Sequence, residues 1–147
     1  MTRRERMTPQ NLQAEIEELF SELWHVPRFA GMRRGFRPMV DSYRTDDPAE
    51  LTVIVEVPGI DPKSLAIAVS ERTLAISGER VRDRSDGRVY QQMEIEYGPF
   101  ARQIRLSEDV DPDGATARYE QGIVTITLPI ASKPVPAMRY SIVIERR

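Results

Sequence analysis

The chain has 147 residues and no cysteine, so it can bury a stable core in one domain but has no disulfide and no Cys-ligated zinc site. Its formal net charge of −2 lacks the basic excess that is typical of a nucleic-acid-binding protein. No apolar run approaches the roughly 20 residues that span a bilayer, and residues 1–10 lack the apolar middle of a signal peptide. We therefore expect a cytoplasmic protein that binds neither nucleic acid nor a membrane.

Residues 1–37 are predicted to form an N-terminal arm with an amphipathic helix over about residues 9–24. Thr8 and Pro9 favour a helix start, because a capping hydroxyl precedes proline at the first helical position. Apolar side chains then recur at helical spacing: Leu12, Ile16, Leu19, Phe20, Leu23 and Trp24. Acidic side chains occupy the remaining face, so the helix presents one apolar stripe.

Residues 38–130 are predicted to form an all-β domain, because the apolar period changes there from helical to two. Alternating runs lie near Leu51–Val57, Leu65–Val69, Leu74–Ile76, Phe100–Leu106, Ala115–Tyr119 and Ile123–Leu128. Turn residues separate the runs, and no helical pattern lies between them, which argues against a parallel α/β sheet. The pattern predicts an immunoglobulin-like antiparallel β-sandwich.

The segment from Val81 to Tyr97 is long for a hairpin loop, and long loops in compact domains are usually functional. Its charged tip is followed by Val89, Tyr90 and Met93, which could form a further strand. A strand with no place in its own sandwich could pair with the sheet of a neighbouring subunit.

Residues 131–147 are predicted to form an extended C-terminal tail. Lys133-Pro134-Val135-Pro136 cannot continue a helix or a central strand, so it indicates a linker. Tyr140, Ile142 and Ile144 follow at a spacing of two. A short alternating segment on a proline tether is suited to strand addition at an exposed sheet edge.

Four short motifs occur in order along the domain and tail: Leu74-x-Ile76-x-Gly78-x-Arg80, Tyr97-Gly98-x-Phe100-x-Arg102, Ala117-x-x-x-x-Gly122-Ile123-Val124 and Ile142-Val143-Ile144. Together they resemble the motifs of the small heat shock proteins, the α-crystallin family. Each motif alone is weak, but the order over residues 38–144 is specific. Ser107 replaces the family's usual proline, and Gln121 replaces its usual asparagine before Gly122. We expect the fold to tolerate both, because Gly122 can still supply a positive φ.

The resemblance implies an ATP-independent holdase, which is not an enzyme and needs no cofactor. It implies a dimer formed by exchange of the loop strand, with Val89, Tyr90, Met93 and Glu94 at the interface. It also implies larger homo-oligomers, in which Ile142 and Ile144 dock in a groove of a neighbour. That groove would be lined by Leu65, Ile67, Val69, Ala117 and Tyr119. Further partners would be unfolding client proteins and ATP-dependent refolding chaperones.

The apolar stripe of the arm has three interpretations: packing on the sandwich, packing against arms of other subunits, and reversible exposure to clients. The last two can coexist. On the third interpretation, the client-binding candidates are Leu12, Ile16, Leu19, Phe20, Leu23 and Trp24.

Arg102 shares an otherwise apolar strand face with Phe100, Ile104 and Leu106, so its guanidinium needs a partner. One interpretation is an edge position from which the guanidinium reaches water. The other assigns Arg102 to the dimer interface, where it would pair with Glu94 or Glu96 of the exchanged strand.

Asp109-x-Asp111-x-Asp113-Gly114, completed by Glu120, fits the calcium-loop pattern. An EF-hand needs a helix on both sides, whereas strands are predicted here, so an ordinary turn is favoured. His25 is the only histidine, which disfavours a metal site or a catalytic triad. A monomeric co-chaperone adaptor with a related sandwich and a β-sandwich hydrolase are the alternatives to a holdase.

Overall fold

The computed structural model of the chain describes residues 35–146. The predicted helix over about residues 9–24, its apolar stripe and His25 lie outside these residues.

The described residues form nine β-strands and contain no α-helix. The strands are β1 (Met39–Asp46), β2 (Ala49–Glu56), β3 (Ala66–Ser70), β4 (Thr73–Arg80), β5 (Gly98–Arg105), β6 (Thr116–Glu120), β7 (Ile123–Pro129), β8 (Tyr140–Ser141) and β9 (Ile144–Arg146). A short 3-10 helix, Pro62–Ser64, precedes β3, and Asp61 caps it by accepting a hydrogen bond from the Lys63 amide at 2.9 Å.

Two sheets pack against each other around one core. The first has five strands in the order β1-β2-β7-β6-β9, and the second has four strands in the order β5-β4-β3-β8. The paired strands are antiparallel, except that β9 runs parallel to β6. This topology confirms the predicted all-β sandwich.

The core comes from strand positions spaced by two, because successive side chains of a strand point to opposite faces. Fully buried positions in three of the alternating runs are Val53, Val55, Val57, Leu74, Ile76, Val124, Ile126 and Leu128. Burying one such side chain stabilises the fold by about 1.5–3 kcal/mol relative to leaving it exposed. The alternating runs of the sequence therefore identify the core directly.

Strand β1 is not predicted by the sequence pattern. Most of its side chains are exposed, so no apolar alternation marks it. It pairs with β2 along its whole length, from Met39 opposite Glu56 to Asp46 opposite Ala49. Its outer edge has no partner strand within residues 35–146, which leaves a row of backbone groups available for pairing.

Two-residue turns join β3 to β4 and β6 to β7, and both place a non-glycine residue in the left-handed region. Glu71 and Arg72 have φ of 45° and 65°, and Gln121 and Gly122 have φ of 52° and 79°. Gly122 therefore has the expected positive φ. A Cβ at Gly122 would also lie 3.0 Å from the Cα of Pro58, so both backbone conformation and space require glycine there.

The loop between β4 and β5 contains no strand in the single chain, although residues 89–94 have the composition of one. Val89, Met93 and Ile95 are 88%, 61% and 62% exposed. In a single chain this segment has no neighbouring strand with which its backbone groups could pair, which explains its irregular course.

Candidate assembly surfaces

The C-terminal tail lies between the two sheets and joins them at one side of the sandwich. β8 pairs with β3 through Tyr140 and Ser141, and β9 pairs with β6 through Ile144 opposite Ala117. Between these strands, Ile142 is only 5% exposed, and its backbone N–H donates to the carbonyl oxygen of Ile67 at 2.9 Å. The tail thus adds one short strand to each sheet and buries one isoleucine between them.

The predicted groove residues lie together beneath this tail. Leu65, Ile67, Val69 and Ala117 are buried, and Tyr119 is half-buried. The hydroxyl of Tyr119 donates to the carbonyl of Val57 at 3.3 Å. The groove is filled here by the tail of the same chain, whereas the resemblance implies the tail of a neighbour.

The two tail positions on either side of Val143 differ in depth. Ile142 is buried and Ile144 is half-buried, whereas Val143 between them is 81% exposed. This is the period-two pattern of a strand with one face on an apolar groove. Ile142 therefore contributes most of the apolar burial of the motif.

The linker that carries the tail is only loosely packed against the sandwich. Residues 131–139 are mostly exposed, and the amide of Met138 donates to the carbonyl of Pro136 at 2.8 Å within the linker itself. A cavity of about 220 Å³ separates residues 135–138 from the β3–β4 turn and from Val110. At the start of the linker, the N–H of Ala131 donates to the carbonyl oxygen of Asp109 at 2.9 Å, which attaches the linker to the domain at that point.

A second candidate surface combines the free edge of β1 with the loop between β4 and β5. Of the predicted interface residues, Val89, Met93 and Glu94 are exposed, and Tyr90 is 44% exposed. Exposed apolar side chains on a loop and an unpaired strand edge are the features that strand addition requires.

Arginines make contacts with other residues of this loop. The guanidinium of Arg82 lies 4.4 Å from the ring centre of Tyr97 and 5.4 Å from that of Tyr90. Arg88 forms a salt bridge with Asp83 at 2.8 Å. Hydrogen bonds from Arg88 and Arg82 hold the pKa of Tyr90 below its usual value. These contacts are solvent-exposed, so they restrain the loop only weakly.

Arg102 lies half-buried on β5, an edge strand of its sheet, on the face that carries Phe100 and Ile104. Its Nη1 donates to the carbonyl oxygen of Pro38 at 2.7 Å. Burial and, secondarily, the charge of Arg37 lower its pKa. In the single chain its partner is therefore a backbone carbonyl, and pairing with Glu94 or Glu96 of a second subunit stays a prediction.

Sequence reasoning missed the importance of Arg80, which is only 9% exposed. Its Nε donates to the carbonyl of Glu96 at 2.9 Å, its Nη2 donates to the same oxygen, and its Nη1 donates to the carbonyl of Pro58 at 3.2 Å. The signal was present in the sequence, because Arg80 shares the face of Leu74 and Ile76 on β4. The argument from a charge on an apolar face applies to Arg80 as well as to Arg102.

The aspartate-rich loop before β6 forms one local turn contact and one ion pair with the β3–β4 turn. Oδ1 of Asp111 accepts a hydrogen bond from the amide of Asp113 at 3.0 Å, and Asp109 forms a salt bridge with Arg72 at 2.9 Å. Within residues 35–146, no group of three or more His, Asp or Glu side chains is arranged to hold a metal ion. In the same residues, no helix is long and apolar enough to cross a membrane.

Comparison with known proteins connects this geometry to a family. Residues 43–145 match the Hsp20/alpha crystallin family. The chain is 34% identical over 128 residues to an alpha-crystallin of Mycobacterium bovis, covering 84% of this chain and 83% of that protein. It is 30% identical over 115 residues to small heat shock protein C2 of Rickettsia felis, covering 78% of this chain and 73% of that protein.

Solved structures agree with the sequence relatives. Heat shock protein 16.0 from Schizosaccharomyces pombe superposes with a TM-score of 0.60 at 27% identity, covering 70% of this chain and 98% of that one. A small heat-shock protein from Xylella fastidiosa superposes with a TM-score of 0.57 at 29% identity, covering 69% and 92%. The matched region contains both sheets and the docked tail, so the chain belongs to the Hsp20/alpha-crystallin family of small heat shock proteins, which are chaperones and not enzymes.

Proposed function

We propose that the chain is an ATP-independent holdase that binds unfolding proteins, prevents their aggregation, and assembles from dimers into larger homo-oligomers. The observation that carries this proposal is Ile142, which is buried between two sheet edges while the linker that precedes it is mostly exposed. A buried apolar contact at the end of an exposed linker is suited to reversible association between subunits. Residues 1–37 would serve as the arm, residues 38–130 as the domain, and residues 131–147 as the tail.

The length of the linker allows the tail to reach a second subunit. Residues 131–139 would span roughly 30 Å if extended, at about 3.3–3.6 Å per residue. The groove under β8 and β9 can therefore accept either its own tail or that of a neighbour. Docking in the neighbour's groove would link dimers into larger assemblies, and docking in its own groove would compete with that link.

Dimer formation would use the loop and the free edge of β1. Residues 89–94 carry unpaired backbone groups and exposed apolar side chains, and β1 presents its outer edge to solvent. Adding the segment to β1 of a second subunit would satisfy both sets of backbone groups. The exposed Met39 and Tyr43 on β1 would then contact the incoming strand.

Client capture would rest on apolar surface and would need no nucleotide or other cofactor. Unfolding proteins expose apolar groups, and covering them is favourable by roughly 25 cal/mol per Å². The apolar stripe from Leu12 to Trp24 is the candidate surface. Captured clients would pass to ATP-dependent refolding chaperones, and the cytoplasm is the location that we propose for both.

The family relationship supports this proposal. The related small heat-shock protein from Xylella fastidiosa has a distinct high order structure. Binding can be tested by gel filtration of the full chain with a heat-labile client, before and after heating without ATP. We expect the heated client to elute together with the chain and the unheated client to elute separately. Absence of any complex after heating would contradict it.

A further inference from the structure

The guanidinium of Arg80 is buried without a carboxylate partner. Within residues 35–146 no salt bridge includes it, and its hydrogen bonds go to the carbonyl oxygens of Glu96 and Pro58. Burying a charge is costly unless hydrogen bonds replace those to water. A fork that donates from Nε and Nη2 to one carbonyl needs the planar guanidinium, which lysine does not provide.

These hydrogen bonds close the base of the loop between β4 and β5. Arg80 is the last residue of β4, and Glu96 lies two residues before β5 begins. The register places Arg80 opposite Gly98. The side chain therefore ties together the two points at which the loop leaves and re-enters the sandwich.

Phe36, near the end of the arm, lies on the same guanidinium. The ring centre of Phe36 is 3.6 Å from the guanidinium carbon of Arg80, and the ring packs edge-on against Phe100 at 5.8 Å. A Cβ at Gly35 would lie 2.8 Å from the carbonyl oxygen of Pro99, so the chain there runs too close to β5 for a side chain. The end of the arm and the base of the loop thus share one anchor.

From the other side of Arg80, aromatic contacts continue into the loop. The ring of Tyr97 lies 5.5 Å from the guanidinium of Arg80 and 4.4 Å from that of Arg82. Arg82 lies in turn over Tyr90, within the segment proposed for exchange. Arginines and aromatic rings therefore alternate without a gap from Phe36 to Tyr90.

We infer that Arg80 couples the N-terminal arm to the exchange loop, so that displacing one loosens the other. Arg80 is a positioning residue for assembly, and this role rests on the proposed function. When the loop leaves to pair with a second subunit, Tyr97 and Glu96 move away from Arg80, and the support of Phe36 weakens. Exchange of the loop strand in the dimer would in this way loosen the attachment of the arm, which carries the client-binding candidates.

Hydrogen exchange on the full chain tests the coupling from both ends. Phe36→Leu removes one ring beside Arg80, and Tyr97→Leu removes the other. We expect Phe36→Leu to speed amide exchange of residues 89–100 by about fivefold, because local opening becomes easier. We expect Tyr97→Leu to speed amide exchange of residues 35–42 by a similar factor. We expect Arg80→Lys to speed exchange in both segments. In the double variant Phe36→Leu, Tyr97→Leu, the increase in exchange rate should be less than the sum of the two single effects in free energy, because both rings act through one guanidinium.

The matched control is Val110→Ala, which removes a buried side chain at the far end of the sandwich, beside the β3–β4 turn. It should lower stability without speeding exchange selectively in either segment. The inference is overturned if Phe36→Leu leaves residues 89–100 within about twofold of the parent, or if Val110→Ala produces the same pattern. The measurement needs no client and is made on chain diluted to monomers, as checked by sedimentation velocity, so its failure is distinct from failure of the proposed function.

Discussion

Ile142 donates its backbone N–H to the carbonyl oxygen of Ile67 at 2.9 Å, and its side chain is buried between the two sheets. This pair joins the last strands of the chain to the sandwich, although the nine linker residues 131–139 separate those strands from the domain. The contact combines a backbone bond, which any sequence can make, with a side-chain pocket, which selects isoleucine. It therefore has both parts of strand-addition recognition.

Replacing Ile142 and Ile144 together by alanine is expected to leave dimers but to dissolve larger assemblies. Truncating a buried isoleucine costs about 2–5 kcal/mol, a loss of binding free energy large enough to release a short docked strand. Native mass spectrometry reads out the assembly. Val143→Ala is the matched control, because Val143 is 81% exposed and should leave the mass distribution unchanged. Large oligomers that persist in the double variant would refute tail docking as the link.

Deleting Val89–Glu94 is expected to convert dimers into monomers of about the chain mass of 16.8 kDa. The deletion removes the proposed exchange strand and leaves both sheets intact. Sedimentation velocity reports the change, and deletion of residues 84–87 at the charged tip is the control. If the first deletion leaves dimers, the subunits associate through another surface.

Gln121→Asn is expected to stabilise the fold by about 0.5–1 kcal/mol, because asparagine adopts a positive φ more readily than glutamine. Gln121 has a φ of 52° and an exposed side chain, so the change should leave the core unaltered. The urea midpoint measures the effect. Gly122→Ala at φ 79° should act in the opposite direction and cost about 1–3 kcal/mol. Equal midpoints for both variants would show that this turn does not limit stability.

Replacing Leu19, Phe20 and Leu23 by serine is expected to reduce client binding while dimers remain. The substitution removes apolar area from the predicted stripe, and client affinity should fall with that area at roughly 25 cal/mol per Å². A fluorescence titration with an unfolded client measures the affinity. Glu15, Glu17 and Glu18 changed to glutamine form the control, because they lie on the polar face of the predicted helix. Unchanged affinity after the serine substitutions would exclude the stripe as the client surface.

The sequence predicts those parts of the fold that burial determines. Alternating runs such as Val53–Val57 and Val124–Leu128 mark buried strands, because period two is the signature of one apolar face. Strand β1 lacks this signal, since its position depends on backbone pairing with β2 and on little side-chain burial. Residue pattern carries no information about such pairing.

The candidate surfaces divide in a similar way. The alternation of Tyr140, Ile142 and Ile144 predicts strand addition, whereas the groove residues follow only from the resemblance to the small heat shock proteins. Arg80 contacts Phe36, which lies 44 positions earlier in the chain, and Glu96, which lies 16 positions later. Arg80 is recognisable in the sequence as a charge on an apolar face, but only the topology of the sheets places Phe36 and Glu96 beside it, so its partners could not be predicted.

Aggregation of a heat-labile client, followed by light scattering with an equimolar amount of the full chain and no ATP, tests the holdase directly. The account predicts that scattering falls strongly, that ATP makes no difference, and that the arm variant with serine at Leu19, Phe20 and Leu23 protects less than the glutamine control. Scattering equal to that of the client alone would contradict the account at its centre.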